Sequence, residues 1–179
     1  RLADIVLTEP ERDAPVDAPP LPEARPLSIR VNALRYRFEP QGPWVIDDCS
    51  FSVAPGETVA LVGPSGCGKT TLMKLMLGLL TPEAGSILVD GRDIAGVRLR
   101  DYRRAVAAVM QDDQLFAGSI ADNIAFGDEA RDEARIEEVA RMAAAHDDIV
   151  RMPMGYQTLI GDMGTTLSGG QKQRIILAR

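Results

Sequence analysis

Residues 63–71 read GPSGCGKTT, a glycine-rich run closed by Lys69 and Thr70. The spacing G-x-x-x-x-G-K-[ST] is the one that wraps a phosphate in backbone N–H groups. Gly63, Gly66 and Gly68 let the chain turn sharply with no Cβ in the way, so its donors can ring an anion. A helix starting at Lys69 aims its unpaired N–H groups and positive dipole end at the same point. Lys69 carries a full charge to the β- and γ-phosphates, and the Thr70 hydroxyl reaches Mg2+. Pro64, Ser65, Cys67 and Thr71 complete the run. Cys67 at a helix start has the setting that activates a thiol; a small residue tolerated between two glycines is the plainer reading. About 100 residues later, LSGGQKQR (167–174) opens another helix. Ser168 can cap it and donate to an anion, while Gly169 and Gly170 allow close backbone approach.

These loops need a scaffold. Ser28–Phe38 and Val45–Val53 are β-rich and joined by a turn at Pro40, Gly42 and Pro43. Glu57–Val62 is an almost unbroken apolar run, as expected for a buried central strand feeding the loop. Helices are predicted at Lys69–Leu80, Ile120–Phe126 and Asp132–Ala145, the last with Ile136, Val139, Ala140 and Ala143 on one face. Ser86–Val89 and Val106–Met110 are predicted strands, and a final helix follows Ser168. Strand–loop–helix alternation implies an α/β domain with a mostly parallel sheet.

Composition narrows the class. With 20 Lys+Arg against 26 Asp+Glu, the net charge is −6, which disfavours non-specific nucleic-acid binding. Cys49 and Cys67 have no partners at metal or disulfide-framework spacing. Six of the 12 prolines lie between Pro10 and Pro26 among acidic residues, the composition of a linker. Arg1–Leu7 has helical apolar spacing and reads as the tail of a preceding element. The expected division is a helix end and linker over 1–26 and a folded domain over 27–179.

Together the motifs resemble the nucleotide-binding domain of ABC transporters, whose signature is LSGGQ. Over residues 28–179 the resemblance runs through several motifs in the family's order. Residues 63–71 match its phosphate loop, Gln111 in VMQDD looks like the glutamine that touches Mg2+, and TLIGDM (158–163) resembles the loop before the signature in exporters. Tyr36 looks like the aromatic that stacks on adenine, with Trp44 as the alternative. The resemblance implies a P-loop NTPase fold of ABC-ATPase type: a mostly parallel central sheet, an antiparallel β subdomain and a helical subdomain. It implies ATP and Mg2+ as ligands. ATP would bind between the phosphate loop of one domain and Ser168, Gly169, Gly170 and Gln171 of a second copy, paired head to tail. The leading RLADIVL and TLIGDMGTTLSGGQKQR look like colicin-V-type peptide exporters. That implies transmembrane domains as partners and a place on the cytoplasmic face of a bacterial inner membrane. Lipid or multidrug exporters, and a soluble ABC ATPase without a membrane partner, are the alternatives.

In the family the acidic catalytic base and a switch histidine follow the signature helix, and the chain reaches Arg179 inside that helix. The chain alone is therefore expected to bind nucleotide without turning it over. Ile87–Asp90 imitates the strand that precedes the base, but Gly91 follows where glutamate is required, so a turn is expected. His146 precedes the signature and reads as a solvated helix-end residue, and Asp112, Asp113, Asp147 and Asp148 as solvated loop and helix-end charges. Met73 and Met76 read as core packing.

Overall fold

The computed structural model describes Leu21 and residues 25–110, 113–128, 131–161 and 167–179. It divides into two compact units, residues 1–107 and 108–179.

In the first unit, β1 (Ile29–Tyr36), β2 (Ile46–Val53), β3 (Ala84–Val89) and β4 (Arg92–Asp93) form a sheet in the order β2-β1-β3-β4. Every pairing is antiparallel. Helix α1 (Lys69–Met76) shares a core with it: Leu72 and Leu75 pack with Val31, Leu34, Ile46 and Ile87. Val31 and Leu34 are three residues apart, yet both are fully buried, which strict strand alternation forbids. A bulge resolves this. Ala33 adopts φ +42, the register shifts on both sides of it, and the Ser50 hydroxyl accepts its N–H at 2.7 Å. Across the bulge Gly85 has φ +85, and a Cβ there would lie 2.4 Å from the Asn32 carbonyl oxygen.

Asp90 and Gly91 turn β3 into β4 with φ of +51 and +77, as the turn reading requires. The Asp90 carboxylate accepts from the Ser28 N–H at 3.0 Å and pairs with Arg25; the Ser28 hydrogen bond first, and Arg25 after it, hold its carboxyl below the usual range. A second core joins Val89 and Val97 to Tyr102 of α2 (Leu99–Ala105) and to Leu21. Leu21 is thus buried although it belongs to the proline-rich segment.

The Tyr102 hydroxyl donates to the Met76 carbonyl, and burial pushes it up to about 12. The folded state favours the neutral phenol. Its contribution is therefore complete below the unfolded value near pH 10 and lost as pH rises through about 12. Tyr102→Phe is expected to flatten the alkaline limb of the stability curve, measured by urea unfolding from pH 8 to 12.

Two expected strands are absent from both described sheets, and with them the expected parallel sheet. Glu57–Val62 is exposed, Val62 at 89%. Val106–Met110 is likewise unpaired. A buried parallel strand needs ladder partners at its edges and cover on both faces. Neither β2 nor β4, the edges of the first sheet, pairs with these runs.

The second unit is mainly helical: α3 (Ile120–Ile124), α4 (Glu133–Met142), α5 (His146–Val150) and α6 (Gly169–Ala178), with a short antiparallel pair, β5 (Gly118–Ser119) and β6 (Leu159–Ile160). Its core gathers Ile120, Ile124, Ile136, Ala140, Ile149 and Ile175. The predicted face of α4 is the buried one: Ile136, Ala140 and Ala143 are at most 6% exposed. Ser119 and Asp122 close a capping box at the start of α3, and Asp132 caps α4. No helix among the described residues is long and apolar enough to cross a membrane.

Candidate nucleotide-binding site

The loop over 63–68 delivers its charge and donors at the start of α1. Gly68 is the N-cap of that helix at φ +92, and a Cβ there would meet the Val45 carbonyl oxygen and Ile46 Cδ1 at 2.9 Å. Glycine is thus demanded both by the backbone conformation and by the close approach of the chain entering β2. Because Gly68 has no side chain, α1 has no side-chain cap, and no acidic residue stands in its first turn. The first-turn donors are left without a side-chain partner, an arrangement that suits an anion.

Lys69 Nζ donates to the carbonyls of Gly63 at 2.9 Å and Pro64 at 2.7 Å, and lies 3.5 Å from Cys67 Sγ. The ammonium is therefore held on the loop it is predicted to serve. An incoming phosphate would replace two neutral acceptors with charged ones, which form the stronger hydrogen bonds. Pro64, Ser65, Gly66, Cys67 and Thr70 are exposed. Thr71 is 9% exposed and turned into the core, so of the two threonines Thr70 is the one open to a ligand. Met76 packs on the α1 core as expected, whereas Met73 is 38% exposed.

Tyr36 ends β1, half-buried, with its carbonyl accepting from Val45 N–H at 2.9 Å. Phe38 stands edge-on to it at 5.2 Å and is 66% exposed. Phe38, two residues past the end of β1, is thus an exposed second aromatic beside Tyr36. Trp44 lies under the Arg37 guanidinium at 4.4 Å, and Arg37 is held by the Glu83 carboxylate at 3.0 and 3.1 Å. One face of the indole is thus covered by a cation.

In the second unit Ser168 caps α6. Its Oγ accepts from Gln171 N–H at 3.2 Å, and Gln171 Oε1 accepts from Ser168 N–H at 3.0 Å. This reciprocal box uses the hydroxyl as acceptor and leaves its hydrogen to donate. It also commits the Gln171 oxygen to the helix start, leaving its amide hydrogens for any ligand. Ser168, Gly169 and Gly170 are exposed, and nothing lies within 4 Å of a Cβ built on Gly169.

Gln111 and Asp112 lie outside the described residues, as do Asp162 and Met163 of the TLIGDM run. The first half of that run is structural: Thr158 is buried, and Leu159–Ile160 pair with β5. Asp113 accepts from Met110 N–H at 2.8 Å. His146 is not a solvated residue. It begins α5, its side chain is 15% exposed, and its Nδ1 lies 2.9 Å from the Tyr156 hydroxyl. Asp148 is likewise engaged, by Arg174, while Asp147 is exposed. No group of His, Cys, Asp and Glu among the described residues is placed to hold a metal. Cys49 is half-buried, and burial pushes its thiol up.

A family model described as ABC transporter matches residues 46–179. The colicin V secretion/processing ATP-binding protein CvaB of Escherichia coli is 49% identical over all 179 residues, which cover 26% of that protein. An ATP-dependent lipid A-core flippase of Saccharophagus degradans is 48% identical over 151 residues, 84% of this chain and 26% of the flippase. Among solved structures, a bacterial Atm1-family ABC exporter with ATP bound superposes at a TM-score of 0.87 with 38% identity, covering 98% of this chain and 30% of that one. The fold is shared with that exporter. The chain spans about a quarter of the curated relatives it matches.

Proposed function

We propose that this chain, which belongs to the ABC transporter family, is the ATP-binding part of a bacterial exporter of peptides or bacteriocins. The observation that carries the ATP-binding role is the start of α1: an uncapped helix end behind Gly68, with Lys69 folded over the loop. In this reading the backbone of Gly63–Gly68 and the Lys69 ammonium hold the phosphates, and Tyr36 stacks on adenine. Thr70 and Gln111 hold Mg2+. A hydroxyl and an amide carbonyl are hard oxygen donors of the kind that ion takes. When bound it neutralises charge on the phosphates.

Ser168, Gly169 and Gly170 cap the nucleotide of a second copy, so the working unit is a head-to-tail pair. In the full-length protein, closure of that pair moves transmembrane partners at the cytoplasmic face of the inner membrane. The peptide cargo is supported by the 49% identity to the colicin V secretion protein over all 179 residues.

Two outcomes test the site. Ser168→Arg is expected to leave ATP affinity of the monomer unchanged and to abolish ATP-driven dimerisation, measured by light scattering on size-exclusion chromatography. A variant that still pairs with ATP refutes the role in trans. Tyr36→Ala is expected to weaken ATP binding by roughly 1–2 kcal/mol, the scale of base–aromatic stacking. Unchanged affinity by calorimetry would pass the role to Trp44.

A further inference from the structure

We propose that Arg174 and Asp148 are positioning residues for the start of α6. Their ion pair holds Ser168, Gly169 and Gly170 in the orientation that the second copy's nucleotide meets. The proposal rests on the reading of that helix start as an anion site.

The first turn of α6 needs support. It opens on two consecutive exposed glycines, the residues that lose most conformational freedom on entering a helix. The Ser168–Gln171 box closes the turn on itself but ties it to nothing else in the unit. Side chains farther along α6 make those ties. Lys172 Nζ donates to Gln114 Oε1 at 2.7 Å, and Arg179 reaches the buried Asn123, bonding its carbonyl at 3.2 Å and its Oδ1 at 3.1 Å. Arg174, one turn beyond Gly170, pairs through Nη2 with Asp148 of α5. Its other terminal nitrogen, Nη1, lies under Gly170, 3.4 Å from where a Cβ would stand. Arg174 thus reaches the space beside Gly170 and ties α6 to a separate helix.

Two further observations mark this contact as a strut. Arg174 Nε is buried without an acceptor, a loss that an aliphatic side chain at this position would avoid. Apart from the pair itself and Gln171, the cleft there is lined by the apolar side chains of Ala145, Ile149, Met152 and Ile175. Asp148 is itself well seated, because its neighbour Ile149 is 1% exposed in the helical core.

The test uses the full-length protein in lipid vesicles, reading kcat and KM for ATP hydrolysis, with ATP affinity of the isolated chain measured alongside. Asp148→Asn and Arg174→Gln are each expected to lower kcat about ten- to a hundredfold, with monomer ATP affinity held within about twofold, as for a group that sets geometry alone. The reversed pair, Asp148→Arg with Arg174→Asp, is expected to recover much of the lost rate. Arg174→Lys keeps the charge but has no nitrogen under Gly170, and should fall between. Wild-type kcat in Asp148→Asn overturns the proposal, and so does a parallel loss of kcat and monomer ATP affinity, which marks a general folding role. Ser168→Arg is run beside them. If it alone retains full turnover, the reading of the helix start has failed; if it alone is inactive, the strut has.

Discussion

Lys69→Ala removes measurable ATP binding in calorimetry, the largest functional effect expected of any single change in this chain. The ammonium is the only full positive charge on the 63–71 run. It is already positioned, by bonds to the Gly63 and Pro64 carbonyls, beside the uncapped start of α1. A charge-assisted contact contributes about 1.5–3 kcal/mol, so losing two phosphate contacts costs about 3–6 kcal/mol, or roughly two to four decades of affinity. Alanine is a good helix former, and Lys69 is the first residue of α1, so the helix itself should persist. Unfolding midpoints within a few degrees of wild type, on the order expected for a surface change, would show this. Retained micromolar affinity would contradict the assignment of the phosphate loop.

Gly85→Ala is expected to have the largest effect on stability. Two penalties coincide there. The residue sits at φ +85, where any side chain is strained, and its Cβ would fall 2.4 and 2.5 Å from the carbonyl oxygens of Asn32 and Ala33. Those atoms are backbone, so β3 must move away from the bulge in β1. Moving it disturbs the layer of Val31, Leu34 and Ile87 on which α1 packs. Strained backbone costs about 1–3 kcal/mol and overpacking as much again, a sum near 3 kcal/mol or more. For a unit of this size the melting temperature should drop by more than about 10 °C. A shift of only a degree or two would mean that the bulge yields easily.

The start of α6 was legible because all its determinants are local. Serine at the cap and glutamine three residues on are enough to close the box that the structure contains. The phosphate loop was legible for the same reason, since its turn, charge and helix lie within nine consecutive residues. What depends on distant partners is less legible in the sequence. Glu57–Val62 is apolar enough for a central strand, but hydrophobic pattern does not say whether a ladder partner exists, and Val62 is 89% exposed. His146 looked solvated because Tyr156, ten residues away, meets it only once the intervening turn has formed. Leu21 vanished into the average of an acidic, proline-rich stretch, although one leucine suffices to cover Val89, Val97 and Tyr102. The bulge at Ala33 was hidden as well, since Val31 and Leu34 at a spacing of three fit neither face of a regular strand.

Trp44 is the sole indole in the chain. The guanidinium groups of Arg37 and Arg35 lie 4.4 and 5.7 Å from its ring, and it is 38% exposed, two residues from β2 and close in sequence to Tyr36 and Phe38. Its emission is therefore a one-site optical signal, free of the overlap that complicates spectra of proteins with several tryptophans. Any event that lifts Arg37 off the ring or screens the indole from water will change its intensity and colour. The intrinsic fluorescence of this chain thus watches the rim of the β1–β2 hairpin, with no dye attached.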